Sequence, residues 1–230
     1  MTYPDRVTVV EVGPRDGLQN ERVEIATDVK VSFIDALSDA GLPVIEATSF
    51  VSPKAIPQLA DADQVMRRIV RRPGVRYPVL VPNERGLERA LAAGATEIAI
   101  FTAASEEFNR RNINATIDES IDRFVPVLAR AKRDSIRVRG YISMCFGSPF
   151  DETIAPKRVL EVARRLDALG VDEISIGDTI GVATPNQVAD LVAMLTKDID
   201  VGRLAMHFHD TRGTALANVL AALQAGISIF

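Results

Sequence analysis

The stretch that decides the fold is Val7-Thr-Val-Val-Glu-Val-Gly-Pro-Arg-Asp-Gly17, a β-branched run that ends in polar and turn-forming residues. β-branched residues favour strands, whereas Gly and Pro favour turns. The same succession of short apolar strand, polar loop and amphipathic helix recurs to the end of the chain. Such alternation is typical of α/β folds with a parallel sheet.

Eight segments have the composition of buried strands. They are residues 7–12, 44–48, 77–81, 97–101, 138–144, 173–176, 204–207 and 227–230. The intervals between them average about 31 residues, which is the length of one strand–helix–strand unit. The sequence therefore predicts one repeated unit along the whole chain.

The intervals carry helical spacing of apolar residues, as in Ile117, Ile121, Phe124 and Leu128. Helices often end at a glycine in the left-handed conformation, and proline suits their first turn. Glycine follows four of the predicted helices, at Gly41, Gly94, Gly170 and Gly226. Proline stands where two others begin, at Pro156 and Pro185.

Eight strands and seven helices predict a (β/α)₈ TIM barrel of the α/β class. We expect its eighth strand to be cut short and its last helix to be missing, so that the barrel is truncated at its C-terminal end. One core of this size suits a single domain over residues 1–230. A doubly wound open sheet is the alternative, but no Gly-x-Gly-x-x-Gly follows the first strand.

Composition limits the classes of partner. Of the 230 residues, 47% are hydrophobic and 25% charged, with a net charge of −4, so we expect a globular protein that binds a small molecule and neither nucleic acid nor a membrane. The single cysteine, Cys145, fits a reducing compartment. The first strand begins too early for a signal peptide to precede it, so we expect a cytoplasmic protein.

The two histidines of the chain, His207 and His209, stand two apart at the end of a predicted strand. Alternation along a strand points both rings the same way, which suits a pair of metal ligands. Hydrogen bonding in the interior is the competing interpretation for such a pair. Asp16 follows the first strand and suits a His₂Asp set for Mg²⁺ or Mn²⁺, although zinc accepts the same ligand types and Asp before Gly commonly caps a turn.

Other charged residues stand at the same ends of the predicted strands, where a barrel carries its active site. Arg15 suits an oxyanion or a carboxylate, or is a surface arginine. Glu46 lies in an apolar strand and needs a charged partner, such as Arg15, or a ligand. Glu11 and Asp178 suit either interior pairing or support of a metal site, and we favour support.

Two further segments are less specific. Cys145 follows the fifth strand, and a free cysteine is most often a buried apolar residue, so we do not assign it as a nucleophile. Residues 106–114 are expected to form a long polar loop in which Arg110 and Arg111 either meet phosphate groups of a carrier or are simply solvated.

Four motifs together resemble the 3-hydroxy-3-methylglutaryl-CoA (hydroxymethylglutaryl-CoA) lyase family, within the metal-dependent pyruvate carboxyltransferase-like TIM-barrel superfamily. They are Glu11-Val-Gly-Pro-Arg-Asp-Gly-Leu-Gln-Asn-Glu21, Ile45-Glu-Ala-Thr-Ser-Phe-Val-Ser-Pro-Lys54, Gly177-Asp-Thr-Ile-Gly-Val182 and His207-Phe-His-Asp210. Related synthases and aldolases share Arg-Asp-Gly and His-x-His but usually lack the Leu-Gln-Asn-Glu extension.

The resemblance implies a lyase that cleaves (S)-3-hydroxy-3-methylglutaryl-CoA to acetyl-CoA and acetoacetate, in leucine degradation and ketone-body formation. It implies Asp16, His207 and His209 as ligands of Mg²⁺ or Mn²⁺, and Arg15, Asp16 and His207 as catalytic residues. The identity of the proton-transfer base, Asp16 or His207, stays open. The remaining implied residues are Arg15, Gln19, Asn112 and Thr179 for substrate binding, and Glu11, Glu46 and Asp178 in support of the metal.

One feature of the family is not matched. Its reactive cysteine lies in a Gly-Gly-Cys-Pro loop after the eighth strand, and no such motif occurs in this sequence. We therefore expect this polypeptide to be weakly active or inactive. The alternatives are a superfamily synthase or aldolase acting on acyl-CoA and 2-oxo acids, and a non-catalytic acyl-CoA binder. A homodimer is plausible from the family alone.

Overall fold

The computed structural model describes residues 3–150 and 153–230, which form two compact units. The N-terminal unit comprises Thr8–Ile100 and Ala129–Val138. The C-terminal unit comprises Met1–Val7, Phe101–Leu128 and Arg139–Phe230. That the whole chain is one domain stays a prediction.

Strands and helices alternate along both units. The strands are β1 (Val10–Glu11), β2 (Val44–Ile45), β3 (Thr48–Ser49), β4 (Val79–Leu80), β5 (Glu97–Ala103), β6 (Arg137–Ser143), β7 (Glu173–Asp178) and β8 (Leu204–Phe208). The helices are α1 (Thr27–Asp39), α2 (Ala62–Arg68), α3 (Glu84–Ala92), α4 (Glu106–Ile113), α5 (Ile117–Arg133), α6 (Pro156–Ala168), α7 (Pro185–Leu195) and α8 (Ala215–Gln224).

The strands pair in the order in which they follow one another along the chain. β1 pairs with β2, and β3 to β8 are successive neighbours in a six-stranded sheet. The registers of β1–β2, β3–β4, β4–β5, β6–β7 and β7–β8 are all parallel. Parallel pairing confirms the predicted α/β class. Within residues 3–150 and 153–230 the strands form these two sheets, and a single closed ring is not detected.

Most predicted strands lie where the sequence places them, but two differ. The segment 44–48 is divided into β2 and β3, with Glu46 and Ala47 between them. In the segment 227–230 only Ile229 is bridged, and its carbonyl accepts a hydrogen bond from Met206 N of β8 at 3.0 Å. The chain therefore begins to pair beside β8 at this point without forming a regular strand.

In the N-terminal unit, a buried ion pair ties α1 to the turn before α2. The Lys30 side chain is 6% exposed, and its Nζ lies 2.7 Å from Asp61 Oδ1. Thr27 Oγ1 donates to the other oxygen of the same carboxylate at 2.7 Å. A buried charge needs such partners to offset its lost hydration, so this contact fixes the two helices together.

In the C-terminal unit, the helices bury the apolar stripe that the sequence predicts. Ile117, Ile121, Phe124 and Leu128 of α5 are all buried. Pro185 occupies the first turn of α7, where Thr184 and Gln187 form a reciprocal capping box. Arg139 of β6 and Glu173 of β7 form a buried ion pair near the start of their strands.

The predicted helix ends are confirmed by the backbone. Gly41, Gly94, Gly170 and Gly226 all have φ between 81° and 93°, the left-handed conformation that closes a helix. Only glycine adopts this conformation without steric cost. The sequence signal therefore located these four ends correctly.

We predict that Leu166→Ala lowers the free energy of unfolding by about 2–5 kcal/mol, because it removes a fully buried side chain and leaves a cavity. Leu216→Ala is the matched control, since Leu216 also lies on a helix of the C-terminal unit but is 84% exposed. Urea unfolding followed by circular dichroism measures both. Equal losses in the two variants would contradict the assigned core.

Candidate active site

The loop after β1 contains a short π-helix over Gly13–Gly17, and a side chain of β1 holds it in place. The carboxylate of Glu11 accepts a hydrogen bond from Gly13 N at 2.6 Å. A Cβ at Gly13 would lie 2.7 Å from Glu11 Oε1, so any larger residue would force this carboxylate to move. Glu11 thus acts on the loop that carries Arg15 and Asp16.

Arg15 joins two carboxylates of the N-terminal unit. Its Nε donates to Glu46 Oε2 at 2.8 Å, and its Nη1 donates to Asp16 Oδ1 at 3.0 Å. Glu46 is fully buried, and the side chain of Arg15 is 10% exposed. The charged partner that the sequence requires for Glu46 is therefore Arg15.

Asp16 is oriented by a second donor. Gln19 Nε2 donates to Asp16 Oδ1 at 2.7 Å, the same oxygen that Arg15 contacts. The Asp16 side chain remains 21% exposed. The carboxylate is thus fixed through Oδ1 while part of it is open to solvent or to a ligand.

In the C-terminal unit, the loop after β7 folds around the carboxylate of Asp178. This side chain is 1% exposed, and its two oxygens accept hydrogen bonds from Val182 N at 2.9 Å and from Ala183 N at 3.0 Å. The side chain of Asp178 therefore shapes the loop itself.

The two histidines lie side by side at the end of β8. The ring centroids of His207 and His209 are 4.7 Å apart with an interplanar angle of 25°. His209 Nδ1 lies 3.0 Å from the main-chain oxygen of Asp178. A carbonyl oxygen can only accept, so Nδ1 carries the proton and Nε2 is the ring nitrogen that can bind a metal.

The loop after β6 contains Cys145, which is 3% exposed. Its Sγ donates to Ile142 O at 3.0 Å, and burial raises the pKa of the thiol. Thr179 lies beside this loop, and its Oγ1 accepts a hydrogen bond from Met144 N at 2.8 Å. The side chains of Cys145 and Thr179 therefore both form hydrogen bonds with the main chain in and after β6.

The prediction of a polar loop over residues 106–114 is wrong, because residues Glu106–Ile113 form helix α4. Ser105 caps the helix by accepting a hydrogen bond from Phe108 N at 3.1 Å. Arg111 lies 2.6 Å from Glu107 and packs over the ring of Phe150. Arg110 and Asn112 are exposed on the same helix.

The sequence analysis missed two residues of the first turns of α8, Thr214 and Asn218. Both donate to the main-chain oxygen of Ala183, Asn218 Nδ2 at 3.0 Å and Thr214 Oγ1 at 3.3 Å. Asn218 stands alone among apolar residues in Ala215-Leu-Ala-Asn-Val-Leu-Ala-Ala-Leu223. A single amide in an apolar run is the sequence signal that could have identified Asn218.

Comparison with known proteins gives consistent matches along the chain. A sequence profile of the family described as HMGL-like matches residues 6–229. The mitochondrial hydroxymethylglutaryl-CoA lyase of Rattus norvegicus is 54% identical over 99% of this chain and 70% of its own length. The cytoplasmic 3-hydroxy-3-methylglutaryl-CoA lyase of the same species is 54% identical over 98% of this chain and 66% of its own length.

Solved structures agree with these sequences. The hydroxymethylglutaryl-CoA lyase from Pseudomonas aeruginosa has a TM-score of 0.97 and 50% identity, covering 100% of this chain and 77% of its own. An HMG-CoA lyase from Acinetobacter baumannii, in complex with coenzyme A and 3-methylmalate, has a TM-score of 0.95 and 37% identity, covering 100% and 75%. The chain thus shares the fold of these lyases along its length.

We predict that Cys145 does not react with iodoacetamide at pH 7–9 in the folded protein, because burial raises the pKa of its thiol and the reactive thiolate does not form. In urea the thiol regains an ordinary pKa and should be alkylated within minutes at pH 9. Mass spectrometry of the intact chain counts the adduct. Rapid alkylation of the folded protein would show that the thiol is accessible.

Proposed function

Because the chain belongs to the HMGL-like family, we infer that it is a carbon–carbon lyase that cleaves 3-hydroxy-3-methylglutaryl-CoA to acetyl-CoA and acetoacetate. The observation that carries this inference is the match along nearly the whole chain to relatives that bear this name. These relatives do not favour a synthase or aldolase of the superfamily, or a non-catalytic acyl-CoA binder. The family resemblance that the sequence motifs indicate is confirmed.

The family depends on a divalent metal, and we propose Asp16, His207 and His209 as its ligands in this chain. Each side chain offers one ligand atom and is half-buried. The ring of His209 suits this role, since its Nδ1 is engaged by Asp178 O. The carboxylate of Asp16 suits it because Oδ1 is already held by two donors.

A mixed set of carboxylate and imidazole ligands is compatible with Mg²⁺ or Mn²⁺, and we propose one of these ions. When bound, the cation supplies Lewis-acid polarisation of the substrate's hydroxyl and carboxylate oxygens. Glu11, Glu46 and Asp178 support the ligands in this proposal. Glu11 and Asp178 hold the loops after β1 and β7, and Glu46 holds Arg15.

We propose that Arg15 stabilises the negative charge that develops on the thioester oxygen as acetyl-CoA leaves. Its contacts with Glu46 and Asp16 fix the guanidinium before substrate binds, so little reorganisation is needed. Donors in such positions typically contribute about 3–4 kcal/mol to the barrier. Proton transfer from the substrate hydroxyl is assigned to Asp16 or to His207.

Gln19, Asn112 and Thr179 remain proposed contacts of the acyl-CoA substrate. Gln19 also orients Asp16, and Thr179 Oγ1 binds Met144 N, so each would serve both its neighbour and the substrate. Asn112 lies exposed on α4, where a large ligand can reach it. Each of the three assignments predicts a higher KM for HMG-CoA in the alanine variant.

We propose a cytoplasmic homodimer, in line with the cytoplasmic forms among the relatives. The relatives also include mitochondrial forms. In the ranges that the structure describes, none of the helices has both the length and the apolarity needed to cross a bilayer. Size-exclusion chromatography with light scattering tests the oligomeric state.

We predict that His209→Ala and Asp16→Ala slow the cleavage of HMG-CoA by at least about 100-fold, because each removes a ligand rather than a group that merely orients one. The assay uses enzyme in excess over substrate, with Mn²⁺ or Mg²⁺, and follows acetoacetate release in a single turnover so that slow cleavage is detected. Asp28→Ala is the control, since this carboxylate is 80% exposed and lies on α1. It should retain wild-type rates within about twofold.

Calorimetric titration with Mn²⁺ accompanies the assay and reports the ligands without turnover. Loss of Mn²⁺ binding in both ligand variants, with normal binding in Asp28→Ala, supports the ligand set. Wild-type protein that binds Mn²⁺ but releases no acetoacetate even in a single turnover would contradict the lyase assignment for this chain and favour the non-catalytic acyl-CoA binder. Consumption of acetyl-CoA with a 2-oxo acid would then identify a synthase.

A further inference from the structure

Asn218 of α8 is a fully buried amide whose two polar ends differ. Its Nδ2 donates to Ala183 O at 3.0 Å, whereas among the described residues its Oδ1 has no hydrogen-bond partner. Burying an unpartnered carbonyl oxygen costs stability, and an apolar side chain of similar size would avoid that cost. The hydrogen bond that Nδ2 donates must therefore account for the presence of an amide at this position.

The donor holds the last part of the loop after β7. Thr214 Oγ1, at the start of α8, also donates to Ala183 O, at 3.3 Å. Two side chains of the same helix thus converge on one carbonyl. The loop cannot leave its position without breaking both hydrogen bonds.

The held residue is in turn bound to Asp178. Ala183 N donates to Asp178 Oδ2 at 3.0 Å, and Val182 N donates to Oδ1 at 2.9 Å. Both oxygens of the carboxylate are therefore used to close the loop upon the end of β7. These two hydrogen bonds hold the loop that contains Ala183 against the end of β7, where Asp178 also pairs with Phe208 of β8.

The main-chain oxygen of Asp178 contacts His209 Nδ1 at 3.0 Å. This contact requires the proton on Nδ1 and leaves the lone pair of the neutral ring on Nε2. Partners of this kind, which bind the second nitrogen of a metal-binding histidine, fix both its tautomer and its ring orientation. A chain of hydrogen bonds thus leads from Asn218 to His209.

The loop also packs directly against the backbone that carries His209. Gly181 has φ +65°, and a Cβ there would lie 2.8 Å from His209 O and 2.6 Å from Thr211 Oγ1. Only a residue without a side chain fits so close to the neighbouring loop. A displacement of the loop after β7 would therefore disturb His209 by contact as well as by the hydrogen bond.

We propose that Asn218 is a positioning residue for His209, acting through Ala183 and Asp178 to hold the ring in its metal-binding tautomer and orientation. This inference rests on the proposed metal site. Among the described residues no hydrogen bond joins Asn218 to the ring, so the loop after β7 transmits its effect. The buried Oδ1 lowers stability, but an apolar side chain could not donate a hydrogen bond to Ala183 O.

The test compares Asn218→Leu with a closely matched control, Asn109→Leu. Asn109 of α4 is also fully buried, its Nδ2 donates to Thr116 O at 3.1 Å, and among the described residues its Oδ1 also has no hydrogen-bond partner. Within the described part of the chain, the hydrogen bonds of the Asn109 side chain go to Thr102, Thr116 and Ser120 and involve neither the loop after β7 nor His209. Both variants lose a buried amide donor, so both should lose thermal stability.

Two readouts separate positioning from stability. Calorimetric titration with Mn²⁺ gives the dissociation constant, and ¹⁵N–¹H long-range correlation spectra of the metal-free protein give the histidine tautomers. The chain has only two histidines, so a His207→Gln spectrum assigns both rings. A role in stability alone would move neither the Mn²⁺ affinity of the folded protein nor the tautomer of His209.

We predict that Asn218→Leu weakens Mn²⁺ binding about 10- to 100-fold and converts His209 from the pure Nδ1–H form to a mixture of tautomers. Asn109→Leu should change the dissociation constant by less than about twofold and leave the His209 signals unchanged. If Asn218→Leu does not fold, Asn218→Ala, which also lacks the donor but is smaller, is judged by the same criteria.

The outcomes also separate this inference from the proposed ligand set. If His209→Ala abolishes Mn²⁺ binding while both Asn218 variants bind as wild type with an unchanged tautomer, the positioning role is wrong and the ligand set stands. If His209→Ala binds Mn²⁺ as tightly as wild type, the ligand set is wrong and the positioning role falls with it. Equal weakening in Asn218→Leu and Asn109→Leu would overturn the specific path through Ala183.

Discussion

The register between β7 and β8 is the constraint on which the histidine pair depends. Gly177 pairs with His207 and Asp178 pairs with Phe208, so His209 follows the strand at the level of the Asp178 carbonyl. A shift of one residue would turn both histidines to the opposite face of the sheet. Strand pairing therefore brings the Asp178 carbonyl within reach of His209 Nδ1, and the loop after β7 packs against the same backbone.

Buried charges at the ends of the strands are satisfied in two different ways. In the N-terminal unit, the guanidinium of Arg15 forms ion pairs with the carboxylates of Glu46 and Asp16. In the C-terminal unit, the carboxylate of Asp178 is satisfied by two backbone N–H groups of its own loop. The first arrangement fixes the orientation of a guanidinium, and the second fixes the conformation of a loop. A catalytic site needs both charged groups and loops to be held in position.

The sequence was most informative where a local signal and the tertiary fold agree. Strand spacing, the left-handed glycines and the capping prolines follow from backbone sterics, and they located most elements. The helix over Glu106–Ile113 was missed because its apolar stripe is short, although Ser105 as N-cap, acidic residues in the first turn and basic residues in the last turn were all visible. At the division of the second strand, Glu46 N donates to Glu11 O and Ala47 N donates to Pro78 O, and a local pattern cannot show such a change of distant backbone partner.

The contacts that sequence patterns could not predict are made to main-chain atoms. The sequence predicts Asp178 as a supporting carboxylate, whereas the atom that reaches His209 is its backbone oxygen. Asn218 binds a backbone oxygen as well, and that oxygen belongs to Ala183, a residue with no functional side-chain group. Every residue has a main-chain oxygen, so the sequence does not show which of these oxygens accepts a hydrogen bond from a given side chain. The fold determines that. If Asn218 positions His209 as we propose, the site depends on loop geometry more than on the identity of the intervening side chains, and a residue of the following helix supports it.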